Sequence, residues 1–277
     1  MLSGKSSQKL DRLSGLLARF HLHGCVSHAG ELQATADCST RSNSGLCLYI
    51  LLSGSVRLDR PGNPTHILEA PLIAVLTQAT PHRLVPPTAA QPPHVVCAFI
   101  EFGVGEDNPV MMAFPECLFL PLEGTMPDLL ASVELLAAEA AQPRCGRQTV
   151  LDRAIEILVI ALLRHLMDRK LVTSGLLAGL SDPRLARALA AIHETPQHSW
   201  TLDTLAQRAG MSRTAFALTF RTTVGLTPGR YLVEWRLSLA RSLLARGRTL
   251  KSIAGEVGYD SSAALSRALS RTRVRTD

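Results

Sequence analysis

The most restrictive feature of this chain is a pattern it uses twice. Residues 201–225 read TLDTLAQRAGMSRTAFALTFRTTVG. Thr201 stands where a helix needs a cap, and Leu202, Leu205 and Ala206 form a short apolar face. Gly210 permits a tight turn because it has no β-carbon. Ser212 then caps a second helix with Phe216 and Phe220 inward at i, i+4. Residues 249–271, TLKSIAGEVGYDSSAALSRALSR, repeat the scheme about 48 residues later. There Thr249, Ile253-Ala254, Gly258, Ser261 and Leu265/Leu269 take the same roles. Two short helices joined by a glycine-containing turn form a helix-turn-helix, and chance rarely supplies one twice.

Between the copies, Thr227-Pro228 starts a helix running to about residue 246, with Tyr231, Leu232, Trp235, Leu239 and Leu243 inward. At ~1.5 Å per residue it spans roughly 28 Å, near the ~34 Å between successive major-groove faces of B-DNA. Charge points the same way. Residues 1–181 hold 14 Lys and Arg against 16 Asp and Glu, a balance of −2. Residues 182–277 hold 15 against 7, or +8. A polyanion partner fits that segment, as does a solvated basic surface. Arg213 and Arg221 project from one outer side and suit phosphates or a guanine edge; solvated surface charge is the plain alternative.

From Asp182, which caps a helix begun by Pro183, to Arg271 the sequence resembles the DNA-binding domain of AraC/XylS-type transcription regulators. The resemblance covers about 90 residues and is carried most clearly by WTLDTLAQRAGMSRTAFALTFRTTVGLTPGRYL and IAGEVGYDSSAALSRAL. The resemblance implies base-reading positions at Thr214, Ala217 and Leu218 on the first recognition helix. On the second it implies Ser262, Ala263 and Arg267. It also implies promoter DNA and RNA polymerase as partners, a homodimer, and a cytoplasmic regulator, most simply an activator. Two departures stand out: Leu265 and Leu269 replace the family's phenylalanines, and Thr-Arg-Val-Arg-Thr-Asp replaces its Phe-Gly-x-x-Pro closing segment.

The first 175 residues have another texture. Leu10, Leu13, Leu16, Leu17 and Phe20 show helical spacing. Short apolar runs at 46–52, 56–58, 72–76 and 95–102, cut by turn residues, predict an antiparallel sandwich or small barrel. Helical patterns follow at 128–141 and 148–170, fit for dimerisation or for covering the sheet, and Gly/Ser-rich 173–181 reads as a linker. The expected fold is α+β: a sensor domain over 1–175, then an all-α double helix-turn-helix domain over 182–277. HAGEL (28–32), LYILLSGSVRL (48–58), LTQATPHRL (76–84), VVCAFIEF (95–102) and LFLPLEG (118–124) resemble the cupin-like sensor of one regulator subgroup. Members of that subgroup respond to oxidants, particularly reactive chlorine species, through a cysteine pair; others take small effectors.

By position, Cys25 and Cys97 match that pair, and His82 matches a residue common in the subgroup. A redox role needs an accessible thiolate and a resolving partner within reach. His21, His23 and His28 lie close to Cys25 in sequence, while Cys97 in its apolar strand fits either a resolving thiol or a buried small hydrophobe. His82 either lines the barrel or caps a turn. His21, His23, Cys25 and His28 could alternatively make a zinc set if the segment is extended. Six cysteines in an intracellular chain argue against a structural disulfide framework. A metal-dependent cupin enzyme is the reading from another class, but His66 and His82 do not supply its His-x-His and Glu pattern. No Ser-His-Asp group, phosphate loop or spaced carboxylate pair appears, so neither catalysis nor a cofactor or metal is expected. No apolar run reaches the roughly 18–20 residues of a membrane span, and no signal-peptide pattern is present.

Overall fold

The computed structural model describes residues 11–37, 45–77, 81–88, 91–103, 110–111, 114–124 and 127–273. The chain divides into two units: 21–173, and 1–20 joined with 174–277. Cys38 and the middle of LTQATPHRL (78–80) lie outside the described residues.

A short helix, α1 (Ser14–Arg19), precedes the first strand. The sheet-rich unit then runs β1 (Leu22–Glu31), β2 (Ala36–Asp37), β3 (Leu46–Ser53), β4 (Ser55–Asp59), β5 (His66–Glu69), β6 (Leu72–Thr77), β7 (Arg83–Val85), β8 (His94–Phe102) and β9 (Cys117–Pro121). It ends in α2 (Pro127–Ala140) and α3 (Arg147–Asp168). One sheet has the order β1-β8-β3-β6-β9 and the other β2-β7-β4-β5, with antiparallel pairing throughout. Between them lies a core of Cys47, Tyr49, Leu51, Val56, Leu58, Leu68, Ala74, Leu76, Leu84, Val95, Cys97 and Phe99. In β3 and β8 the alternate residues Leu48, Ile50, Val96 and Ala98 are buried too, which is why both strands read as unbroken apolar runs.

β1 is an edge strand, and α3 covers that edge with side chains. Gln148 Nε2 donates to the Val26 carbonyl at 2.8 Å, and Asp152 Oδ1 accepts from the Val26 amide at 2.7 Å. Glu156 Oε1 accepts from the Gly24 amide at 3.3 Å. Residues 148, 152 and 156 recur at i, i+4, i+8, so one helix stripe does the work of a neighbouring strand. Gly24 makes this approach possible, since a Cβ there would collide with Ile155 Cγ2.

The helical unit comprises α1, α4 (Leu176–Ser181), α5 (Pro183–Glu194), α6 (Leu202–Ala209), α7 (Arg213–Val224), α8 (Pro228–Ala245), α9 (Leu250–Ile253) and α10 (Ser262–Arg273). Two expectations change here. Residues 176–181 are a buried helix rather than linker. Their small residues serve packing, since a Cβ on Gly179 would come within 2.9 Å of both Leu189 and Val224 side-chain atoms. And α1, expected with the sensor, packs in the helical unit. Leu16 is fully buried, the Phe20 ring meets Trp235 edge-on at 5.0 Å, and Arg19 Nη2 donates to the Glu194 carbonyl at 3.0 Å. Its apolar spacing identified a helix without saying which core the helix would join.

Candidate DNA-reading surface and sensor interior

Both helix-turn-helix copies form with the expected caps. Thr201 and Thr204 make a reciprocal capping box on α6, Gly210 takes the left-handed conformation (φ 67°), and Ser212 accepts from the Ala215 amide. In the second copy Thr249 caps α9, Gly258 has φ 84°, and Ser261 accepts from the Ala264 amide. Phe216, Phe220 and Leu265 are fully buried beneath their helices. The second turn holds one more residue, so counterparts on α7 and α10 lie 49 apart. The last part of the Thr-Arg-Val-Arg-Thr-Asp ending, 274–277, lies outside the described residues.

With Phe216 and Phe220 inward, α7 turns Arg213, Thr214, Leu218 and Arg221 outward, and Ala217 lies half-buried among them. Leu218 is 65% exposed, a large apolar side chain placed where a thymine methyl could be met. Arg213 Nε lies 3.6 Å from Asp203 Oδ1, an exposed pair worth little and easily exchanged for a phosphate. On α10, Ala263 and Arg267 are exposed and Ser262 is half-buried. The same face carries Ser266, which sequence reasoning missed. The 49-residue offset that pairs Leu218 with Arg267 also pairs Ala217 with Ser266, so the signal was present.

The described cysteines of the sheet-rich unit are Cys25, Cys47, Cys97, Cys117 and Cys145. Cys25 lies opposite Phe99 on β8, and His28 opposite Cys97, with a bulge between Val26 and His28. Cys25 and Cys97 therefore share the interior face as diagonal neighbours on adjacent strands. Cys47, not singled out by sequence, also lies opposite Phe99, on β3, and so is diagonal to Cys97 from the other side. Cys25 is half-buried, Cys97 and Cys47 buried. The alternative histidine cluster does not assemble: His23 Nδ1 lies 3.6 Å from Glu156 Oε1, and His28 Nε2 lies 3.3 Å from the Gly30 carbonyl oxygen. Among the described residues no three His, Cys, Asp or Glu side chains converge as a metal site.

His82 is buried, and its Nε2 lies 2.7 Å from the Tyr49 hydroxyl. It lines a cavity of about 420 Å³ with Asp59, Arg60, Pro61, Thr65, Pro81 and Arg83. Arg60 reaches inward to Cys117, donating from Nη1 to Sγ at 2.7 Å. Burial pushes the Cys117 thiol up, against the pull of Arg60.

A β-sandwich domain followed by two helix-turn-helix units is the architecture of a DNA-binding transcription regulator. A cupin family model matches residues 11–168 and a helix-turn-helix domain model residues 205–274. The chain belongs to the AraC family of transcription regulators and carries an N-terminal cupin domain. An uncharacterized HTH-type transcriptional regulator of Haemophilus influenzae is 37% identical over 58% of this chain and 54% of its own, so the chain spans about half that relative's length. The RCS-specific HTH-type transcriptional activator RclR of Escherichia coli is 27% identical over 80% of this chain and 79% of its own. ToxT of Vibrio cholerae with bound unsaturated fatty acid covers 91% of each chain at a TM-score of 0.39 and 12% identity. No described helix is long and apolar enough to cross a membrane.

Proposed function

We propose that this regulator reads promoter DNA with α7 and α10 and is switched, as an activator, by oxidation of Cys25 and Cys97. The carrying observation is their common interior face on adjacent strands, with only Cys25 partly open to solvent. Diagonal Cα atoms lie roughly 7–8 Å apart. A disulfide needs about 4.4–6.8 Å, so closing it draws β1 toward β8. A two-electron oxidant such as hypochlorous acid would convert the Cys25 thiol to a sulfenyl chloride, releasing water. The Cys97 sulfur then attacks Cys25 Sγ and expels chloride as its own proton leaves. Two thiols thus lose two electrons and two protons, and the oxidant becomes water and chloride. Because Gly24 and Val26 flank Cys25 and hold α3 through Glu156, Asp152 and Gln148, the pull reaches α3 directly.

The reading includes RNA polymerase as the activator's partner and a homodimer. Val150 and Ile157, seven residues apart on α3 and exposed, support the latter. Non-reducing peptide mapping after stoichiometric hypochlorite should yield a Cys25–Cys97 peptide, and Cys25→Ser and Cys97→Ser should each abolish oxidant-dependent reporter induction. A Cys47–Cys97 peptide alone, or induction intact in both variants, would replace this switch.

The second reading, a small effector in the sensor with inert cysteines, is favoured by the cavity beside His82.

A further inference from the structure

The geometry points to an oxyanion site in the sheet-rich unit: the cavity where the end of β4 meets the start of β7 takes a small carboxylate or phosphate, held by Arg60 and Arg83 with Thr65 and His82 beside it. This deepens the effector reading and is independent of the Cys25–Cys97 switch. The key group is the Arg60 guanidinium. Its Nη1 donates to Cys117 Sγ, its Nη2 lies 3.2 Å from His66 Nε2, and its Nε is enclosed with no hydrogen-bond partner among the described residues. Neither partner supplies a negative charge, since burial favours the neutral form of the Cys117 thiol. A half-buried cation without an anion is costly, and a ligand that brings one removes the cost.

The one carboxylate on the cavity wall does not fill that role. Asp59 accepts from Arg57 Nε at 3.0 and 3.1 Å and from Arg57 Nη2 at 3.0 Å, and Thr65 Oγ1 donates to it at 3.2 Å. With one aspartate against two arginines, the described lining carries net positive charge. A guanidinium presents a planar fork that matches a carboxylate or phosphate edge, and about 420 Å³ suits a ligand of a few heavy atoms to drug size. Two arginines beside a buried histidine at one end of this sheet are what a positively charged recess needs to prefer oxyanions over neutral molecules.

Calorimetric titration of the full chain with citrate and, separately, with inorganic phosphate tests this. At least one should bind. Arg60→Gln should weaken that binding about ten-fold or more, and Arg83→Gln, at an exposed position, should weaken it measurably without a folding penalty. Arg221→Gln in the basic helical unit and Cys25→Ser should leave the sensor-site affinity unchanged. If neither anion binds, or if Arg60→Gln and Arg83→Gln both bind as wild type does, the site is refuted. If Arg60→Gln fails to fold, Arg83→Gln decides alone. Citrate binding without phosphate binding assigns a carboxylate ligand, and the reverse a phosphate.

Discussion

The two helix-turn-helix copies share a backbone plan but differ both beneath it and on top of it. Beneath the first lies an aromatic stack: Phe216 against Phe220, Phe220 against Tyr231, His193 face-on to Trp235 at 3.9 Å, and Phe20 from α1 closing the end. Beneath the second lie aliphatic side chains, with Ile253, Val257 and Leu265 fully buried against Leu237, Leu239 and Ala240. On top, the first copy has Leu218 in the middle and Arg213 and Arg221 at either end. The second has Arg267 in the middle and Ser262 and Ser270 at those ends. The proposed DNA reading gives the two copies different tasks: the first, charged at its ends and apolar in the middle, anchors on phosphates, and the second, charged in the middle, discriminates between bases.

The largest test removes the end of the aromatic stack. Phe20→Ala should cost about 3–5 kcal/mol, the usual loss for a buried phenylalanine. Both tryptophans, Trp200 and Trp235, belong to the helical unit, so urea unfolding followed by tryptophan fluorescence reads that unit alone. A loss below about 1 kcal/mol would mean that α1 is dispensable to the first copy.

Next comes acid. His193 is fully buried against Tyr231 and Trp235, and desolvation lowers its pKa from 6.5 to about 3. Its Nε2 meets the Tyr231 hydroxyl at 2.7 Å, while its Nδ1 has no partner among the described residues, so a second ring proton would find no acceptor there. The unfolded chain takes up that proton near pH 6.5 and the folded chain only near pH 3. Stability is therefore complete above about pH 6.5 and falls by about 1.4 kcal/mol per unit below it, roughly 2–3 kcal/mol by pH 4.5. Urea midpoints across that range should show the slope in wild type and a shallower one in His193→Gln. Equal slopes would assign the acid sensitivity elsewhere.

On the outer surface, Arg267→Ala should cost about 1–3 kcal/mol of specific DNA affinity and relax preference at a single base pair. Arg221→Ala should weaken all sequences alike and lower the salt-dependence slope by about 1. Binding to a single-base-pair substitution series at several salt concentrations separates the two. An exchange of these signatures would reverse the division between anchoring and discriminating copies.

How much of this the sequence carried depends on the kind of signal. The helix-turn-helix pairs were legible because caps, glycine turns and i, i+4 apolar pairs are local chemistry, and β3 and β8 because double burial writes itself as a continuous apolar run. The partnership of α1 was not, since Leu16 and Phe20 show an apolar face without showing its partner. Nor was the Arg60–Cys117 contact, which joins residues 57 apart from opposite sheets. The choice of Cys25 and Cys97 rests on sequence position alone; their diagonal relation depends on the register and the bulge at 26–28, which no local pattern encodes.

The smallest effects sharpen the same asymmetry. Ser212 and Ser261 cap the two recognition helices through similar bonds, 3.3 Å to the Ala215 amide and 3.2 Å to the Ala264 amide. Replacing either by Ala should cost about 1 kcal/mol. The consequences should differ, because α7 rests on two phenylalanines and follows the two-turn α6, whereas α10 rests on Leu265 and Ala268 and follows the single-turn α9. With less tertiary support, α10 should fray further for the same lost bond. Amide exchange should therefore rise more over 262–268 in Ser261→Ala than over 213–219 in Ser212→Ala, with the larger loss of DNA affinity in Ser261→Ala. Equal increases in exchange would show that the aliphatic core holds its helix as firmly as the aromatic one. Discrimination by the second copy would then owe nothing to its lighter packing and everything to Arg267.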